Sequence, residues 1–136
     1  MPQPSGGLPE VVFKQLAPTK YLVKLGRFYG DGKFALVFNQ TFSPHWKLYA
    51  GEGERSTGIL SAFETLKMKE IANDKHFKSN FFSNTWYLDP LDVKGADFLI
   101  IEFASQRVFY IFAVVTAITL LTISTTAVFE YLKRRL

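Results

Sequence analysis

The apolar residues of this chain are concentrated in one uninterrupted run near its C-terminus, residues 108–129. The run contains no charged side chain, and charged residues close it at both ends: Arg107, Glu130, Lys133, Arg134 and Arg135. About 20 apolar residues in a helix cross the hydrocarbon core of a bilayer, and lipid offers no partner for backbone N–H and C=O groups outside a helix. The pattern therefore predicts one transmembrane α-helix over 108–129 and a basic tail over 130–136.

Small and polar residues form two stripes on the predicted span. With about 100° of rotation per residue, one face contains Ala113, Thr116, Ala117, Leu120, Ser124 and Ala127. Small side chains let helices approach closely. An adjacent polar face contains Thr119, Thr122 and Thr126, although threonine hydroxyls also bond back to their own helix. Two faces that do not suit lipid predict packing against more than one neighbouring helix.

Short segments rich in β-forming residues precede the span. Residues 21–28 and 33–38 flank a Gly-Asp-Gly turn signal, which predicts a β-hairpin. Residues 45–50 alternate apolar and polar side chains, which predicts a third strand. Residues 11–16 are consistent with a strand or a helical turn. Together these segments predict a small antiparallel sheet.

The spacing of apolar residues becomes helical over residues 58–73. One face contains Ile59, Leu60, Phe63 and Leu66, with Ile71 at its edge. The charged residues outside this face are Glu64, Lys67 and Glu70. Ser56 or Thr57 is suited to cap the first turn. The pattern predicts an amphipathic α-helix that packs on the sheet and keeps its charged residues in solvent.

Residues 75–87 mix aromatic side chains with Lys, Asn and Ser and lack clean periodicity. This composition is typical of a membrane-interface segment, in which Trp and Tyr lie at headgroup level and Lys reaches lipid phosphate. A domain core or a protein interface is the alternative. Together with the charged ends of the span, the candidate interface residues are Phe77, Lys78, Trp86, Tyr87, Arg107, Lys133, Arg134 and Arg135.

Residues 98–103 fit either a strand or the first turns of a longer helix. Neither Pro nor Gly occurs from 96 to 129, which favours one long helix. The predicted fold class is α+β, with short antiparallel strands and one amphipathic helix before a single transmembrane helix. The predicted segments are an extended Pro-rich arm (1–20), a soluble domain (21–92), a linker or helix extension (93–107), the span (108–129) and the tail (130–136).

Composition removes several kinds of chemistry. The 136 residues include no cysteine and carry a net charge of +4, so disulfides, thiolate metal sites and cysteine nucleophiles are excluded. The positive charges are spread along the chain, which suits attraction to anionic lipid and predicts no nucleic-acid partner. His45 and His76 lack a second ligand at helical or hairpin spacing. The glycine-rich segment 51–58 lacks the phosphate-binding lysine. No cofactor, metal or catalytic residue is predicted.

These features predict a non-enzymatic, single-pass accessory subunit that packs among other subunits of a membrane complex. Small subunits of this kind collect chiefly in energy-converting membranes, so we expect a mitochondrial respiratory complex or ATP synthase, by association rather than by physics. The basic tail places the C-terminus on the matrix side of the inner membrane. The alternative is a tail-anchored adaptor or receptor whose soluble domain recruits a partner and folds when the chain is cut at about Asp92.

Overall fold

The computed structural model describes residues 11–26 and 32–135, apart from the side chain of Ile59. The chain forms two compact units, Met1–Ala104 and Ser105–Leu136. The described elements of the first unit are β1 (Val11–Ala17), β2 (Lys20–Leu25), β3 (Phe34–Phe38), β4 (Trp46–Gly51), a 3₁₀ helix (Gly58–Lys67), β5 (Lys69–Glu70), a short 3₁₀ turn (Asn73–Lys75), β6 (His76–Ser79), β7 (Ser83–Leu88) and β8 (Phe98–Phe103). The helix α1 spans Ala104–Arg135.

The strands of the first unit form two antiparallel sheets. One has five strands in the order β1-β2-β8-β4-β5, and the other has three in the order β3-β7-β6. Aromatic rings join the layers, since Phe38 of β3 lies 4.9 Å from both Tyr21 of β2 and Trp46 of β4, measured between ring centroids. The shared core contains Tyr21, Val23, Leu36, Phe38, Trp46, Leu48, Ile71, Trp86, Leu88, Leu99 and Ile101. The first unit is therefore a small β-sandwich.

The strand β8 is the centre of the larger sheet and is buried on both faces. It pairs with β2 on one side and with β4 on the other. Leu99 and Ile101 point into the sandwich core, whereas Phe98 and Ile100 join a second cluster on the opposite face with Leu22 and Tyr49. A run of apolar residues without alternation is what such double burial requires.

The predicted fold class is confirmed, since antiparallel strands in the N-terminal part precede a single long apolar helix. The predicted hairpin is wrong. The strand β2 pairs with β1 and β8, whereas β3 pairs with β7 in the other sheet. Gly30 and Asp31 of the turn signal lie outside the described residues. A local turn signal was outweighed by long-range strand pairing, which buries far more apolar surface.

The predicted amphipathic α-helix is also wrong. Residues 58–67 form a 3₁₀ helix, and β5 follows directly. Leu60 is 72% exposed, whereas Glu64, predicted to face solvent, is buried. Thr57 is the N-cap residue but makes no side-chain capping hydrogen bond. The segment turns the Glu64 carboxylate toward the sheet because Lys20 and Arg55 lie there.

Two further segments form strands, of which only the second had a strand among its predicted forms. Residues 75–87 contain the hairpin β6–β7, whose turn holds Asn80 at φ 47° and Phe81 at φ 66°. Residues 98–103 form β8, so the favoured long helix from residue 96 is wrong, and α1 begins at Ala104. The segment expected to be a linker or helix extension (93–107) thus holds the central strand.

Candidate functional site

A cluster of four charged side chains lies at the 3₁₀ helix, where Lys20, Glu64 and Glu102 are buried and Arg55 is partly exposed. Glu64 Oε1 lies 3.0 Å from Lys20 Nζ and 2.7 Å from Arg55 Nη2. Glu102 Oε2, on β8, lies 3.6 Å from the same Lys20 Nζ and accepts a hydrogen bond of 2.6 Å from Thr65 Oγ1. Lys20 also donates to the carbonyl of Ser61 in the 3₁₀ helix at 2.5 Å. Two cations and two carboxylates therefore balance one another.

This buried ionic cluster ties the 3₁₀ helix to the five-stranded sheet. Lys20 and Glu102 face each other in the pairing of β2 with β8, so the sheet presents one charge of each sign to the helix. Each carboxylate accepts hydrogen bonds from its neighbours, which is the condition for burying a charge without a prohibitive cost. One residue in the sequence could have indicated this cluster, namely Glu102, the glutamate inside the apolar strand FLIIEF.

An open cavity of about 400 Å³ borders the ionic cluster. Its lining mixes both signs of charge, with Glu52, Glu54 and Glu64 opposite Lys67 and Lys69. Among the described residues, Glu64 Oε2 and Arg55 Nε are buried without a protein hydrogen-bond partner. Because three carboxylates and two lysines line it together, the cavity does not indicate a particular anion or cation.

The outer face of the three-stranded sheet carries a patch of apolar side chains. Val37, Phe77 and Tyr87, which we call the outer patch, are each about half exposed. Val37 and Phe77 flank Thr85 in one row across the sheet, and the Phe77 and Tyr87 rings lie 5.5 Å apart. An exposed face of an antiparallel sheet is ordinarily polar. Contiguous apolar side chains at such a place are typical of a contact surface.

Within the first unit, the predicted membrane-interface residues do not share one surface. Phe77 and Tyr87 belong to the outer patch, and Lys78 alternates to the other side of β6. The predicted interface position of Trp86 is wrong, because Trp86 is 1% exposed and lies in the sandwich core. Its indole stacks on the His76 ring at 4.4 Å between centroids. The alternative that these aromatics form a domain core therefore holds for Trp86.

His76 is half-buried beside Trp86, and its Nε2 lies 3.1 Å from Asn84 Oδ1. Burial lowers the pKa of His76 below its usual range, with a smaller contribution in the same direction from Lys47 and an opposing one from the hydrogen bond to Asn84. The folded domain thus binds a proton less readily than the unfolded chain does. Stability is therefore complete above the unfolded pKa of about 6.5 and is lost as the pH falls below it.

We expect the urea midpoint of unfolding to decrease when the pH is lowered from about 7.5 to about 5.5. The reason is that His76 binds a proton in the unfolded chain at a pH at which folded His76 stays neutral. In His76→Phe, which keeps a ring against Trp86, the decrease should become smaller. His45→Phe is the matched control, since His45 is exposed. Tryptophan fluorescence follows both variants. An unchanged pH slope in His76→Phe would contradict the assignment.

The helix α1 presents its predicted stripes without burying any described residue. Ala113, Thr116, Ala117, Leu120, Ser124 and Ala127 recur at helical spacing along it. The hydroxyls of the threonine face are satisfied within the helix: Thr119 donates to the Val115 carbonyl at 2.9 Å, Thr122 to Ile118 at 2.9 Å and Thr126 to Thr122 at 2.8 Å. The threonine stripe consequently needs no polar partner, and the small-residue stripe is the more informative face.

The charged ends of α1 are where the sequence placed them. Arg107 lies in the first turn, and Lys133, Arg134 and Arg135 lie in the last turn. Cations in the last turn face the negative end of the helix dipole, which favours them. The Arg135 guanidinium also lies 5.1 Å from the centre of the Tyr131 ring. The helix is long and apolar enough to span a membrane.

In the part of the chain that the structure describes, no group of three or more His, Cys, Asp or Glu side chains is arranged to bind a metal ion. His45 lies against Phe103, with ring centroids 5.8 Å apart, and His76 against Trp86. No family model matches this chain, and neither does any curated protein or solved structure.

Proposed function

We propose that this chain is a non-catalytic, single-pass accessory subunit of a membrane complex. Its β-sandwich docks on a neighbouring subunit through the outer patch, and its helix packs against neighbouring helices through the small-residue stripe. The partners are other membrane proteins and the surrounding lipid. The observation that carries the proposal is the outer patch, because three half-exposed apolar side chains on one sheet face have no role in the sandwich core.

The outer patch is suited to protein contact by its composition. Phe and Tyr give a large contact area at a small cost in side-chain entropy, and Tyr adds a polar atom at the edge. The neighbouring position Ala35 pairs with Tyr87 and leaves room beside its ring. A subunit surface that stays apolar in the isolated chain is favourable only when another surface covers it.

The helix supports the same role. Its 32 residues extend about 48 Å, which is enough for the roughly 30 Å hydrocarbon core. Helices in lipid associate through close backbone approach rather than through hydrophobic burial. A face with Ala113 and Ala117 one turn apart permits that approach, while larger side chains such as Leu121 suit lipid.

The host that we propose is an energy-converting complex of the mitochondrial inner membrane, a respiratory complex or an ATP synthase. The reason is association, since such complexes collect many small single-span subunits. The basic last turn of α1 favours a C-terminus on the matrix side. Protease protection of an N-terminal epitope in intact and in ruptured mitochondria tests this orientation.

A tail-anchored adaptor is the second candidate. It is favoured by the division of the chain, in which the strands form one compact unit and the helix another. An adaptor recruits a soluble protein to the membrane and has no need of close helix packing. Its helix should therefore tolerate a bulky residue in the small-residue stripe.

In native membranes solubilised with mild detergent, we expect the chain to migrate on a native gel within a complex much larger than itself. Phe77→Ser in the outer patch and Ala117→Leu in the small-residue stripe should each lower the yield of that complex at least threefold. Removing the ring takes away contact area, and the added leucine blocks close helix approach.

Two matched variants serve as controls. Lys78→Ser changes the neighbouring residue of β6 on its other side, and Leu121→Ile keeps the volume of a lipid-facing residue. Both should leave the complex intact. Migration of the wild-type chain as a monomer would contradict the accessory-subunit proposal. Loss of the complex in Phe77→Ser but not in Ala117→Leu would favour the adaptor.

A further inference from the structure

We propose that the turn of the β6–β7 hairpin inserts into the membrane, with Phe81 and Phe82 entering the boundary between headgroups and acyl chains of the bilayer that α1 spans. The turn would give the sandwich a second point of attachment to lipid besides the helix. This inference requires that α1 is membrane-embedded. It does not depend on the accessory-subunit role.

The backbone conformation of the turn disfavours a phenylalanine at position 81. Phe82 N–H donates to the Ser79 carbonyl at 3.1 Å, which closes a tight turn. Asn80 and Phe81 both have positive φ, 47° and 66°. Asn and Gly are the usual residues in such turns, because a bulky side chain is disfavoured in the left-handed region.

Phe81 is also 95% exposed, so its ring gains nothing from packing within the described chain. Phe82 beside it is half exposed. The ring therefore has a conformational cost in the folded domain that is not offset by burial within the described chain. Burial of the ring in an apolar environment outside the domain would recover part of that cost.

The turn lies at the end of the sandwich where the chain leaves toward α1. Phe42 N–H donates to the Phe82 carbonyl at 2.5 Å, and Ser43 N–H donates to Asn84 Oδ1 at 3.2 Å. Two residues further along the same loop, the His45 carbonyl accepts a hydrogen bond of 2.8 Å from Ala104 N–H. One loop thus links the aromatic turn to the last residue of the β-sandwich unit.

Chain connectivity keeps this end close to lipid. Residues 104–107 alone separate β8 from the apolar run that begins at Val108. In helical form such a segment rises about 1.5 Å per residue. An exposed side chain on the loops beside Ala104 is therefore tethered near the bilayer surface.

The charge at this end fits contact with a membrane. The described loops beside the turn, residues 18–19 and 40–45, contain no carboxylate, and neither does the turn itself. The exposed acidic side chains Glu52, Glu54 and Asp97 lie in the loops at the opposite end. Asp97 pairs there by accepting a hydrogen bond of 2.6 Å from Gly53 N–H. Carboxylates would be repelled by lipid phosphate and would be costly to desolvate.

The chemistry of the turn points to the acyl boundary rather than to a specific headgroup. Two phenyl rings contribute apolar area, and the turn itself holds no cation. Insertion is therefore expected in zwitterionic phosphatidylcholine and should change little with salt, because salt screens only the electrostatic part of membrane attraction. A protein pocket that accepts Phe81 is the competing occupant, and the experiment separates the two.

The chain contains no cysteine, so a single introduced cysteine places a fluorophore at a chosen site. We would reconstitute full-length Phe82→Cys in phosphatidylcholine nanodiscs, label it with an environment-sensitive dye and quench it with lipids that carry a nitroxide on the acyl chain. Leu91→Cys is the control, since Leu91 is exposed in a loop beyond β7. The label at 82 should be quenched at least threefold more than the label at 91.

The decisive variant is Phe81→Asn in the Phe82→Cys background. Asn is well tolerated at positive φ, so the turn should keep its geometry and the thermal midpoint should not fall. Lipid quenching of the label should drop at least twofold, because the inserting ring is gone. Equal quenching with and without the Phe81→Asn substitution, or equal quenching at 82 and 91, would overturn the proposal. In pure lipid, the label at 82 could be quenched only by a water-soluble agent, and in native membranes it could be shielded from that agent. This pair of results would overturn the proposal in favour of a protein pocket.

Discussion

Replacing Glu64 by alanine should lower the free energy of unfolding by about 3–5 kcal/mol, the usual result of removing one partner from a buried ion pair. The Glu64 side chain is 1% exposed and is the nearest acid to both Lys20 and Arg55. Without it, Lys20 keeps only the more distant Glu102, and Arg55 loses its carboxylate at 2.7 Å. Two partly desolvated cations would then carry an uncompensated charge.

The matched control is Glu70→Ala. Glu70 lies 3.5 Å from Lys47, and its side chain is 43% exposed. An exposed pair contributes about 0–1 kcal/mol, so this variant should be close to the wild type. The sequence pattern treats the two glutamates alike, as charged residues on the outside of one helix. The pair of variants therefore tests the structure against the pattern.

Urea denaturation of the full chain in nonionic detergent would measure both variants. The two tryptophans, Trp46 and Trp86, both lie in the sandwich core, so their fluorescence reports on the domain and not on the helix. Equal midpoints for Glu64→Ala and Glu70→Ala would mean that Glu64 faces solvent and that the buried ionic cluster does not form. Glu64→Gln should fall between the two, because it keeps the shape but loses the charge.

The long apolar helix, which could span a membrane, could be predicted from sequence because its constraint is local. Every residue of a helix in lipid must be apolar or satisfied within the helix, so the signal accumulates along consecutive positions. The structure gives α1 the predicted span and extends it by a turn or more at each end. The short strand at 46–51 was predictable from the alternation of apolar and polar residues, although Tyr49, which faces away from Trp46 and Leu48, is also buried.

The β-sandwich was not predictable in the same way, because its pairings join residues far apart in the chain. The segment that contains the Gly-Asp-Gly signal joins strands of different sheets. The helical periodicity of residues 58–73 was outweighed by Lys20, which lies far earlier in the chain and holds Glu64 under the segment. A single charged contact of this kind changes which side of a segment is buried.

The candidate sites also differ in whether their residues are close together in the sequence or far apart. The small-residue stripe could be found by spacing on one helix. The buried ionic cluster draws its members from separate segments of the chain, and no short window of sequence contains more than two of them. Trp86 shows the converse problem, because its sequence neighbours suggest a membrane interface and only the pairing of β7 with β3 and β6 places it inside.

Ending the chain after Asp92 should abolish folding of the β-sandwich, whereas ending it after Ala104 should preserve it. The shorter fragment lacks β8, and with it Leu99, Ile100 and Ile101, each at most 1% exposed. Full burial of one such side chain contributes about 1.5–3 kcal/mol, so the three together approach the whole stability of a typical domain. The strands β2 and β4, which flank β8, would also lose their pairing partner.

Amide spectra of the two fragments check this expectation, with dispersed signals for 1–104 and collapsed signals for 1–92. Dispersed signals from the shorter fragment would show that the domain ends before residue 93 and that β8 is dispensable. In the intact chain the central strand ends at Phe103 and α1 begins at Ala104. A C-terminal truncation that reaches past the helix therefore removes residues of the most buried strand, so the boundary of a folded fragment should lie at about residue 104.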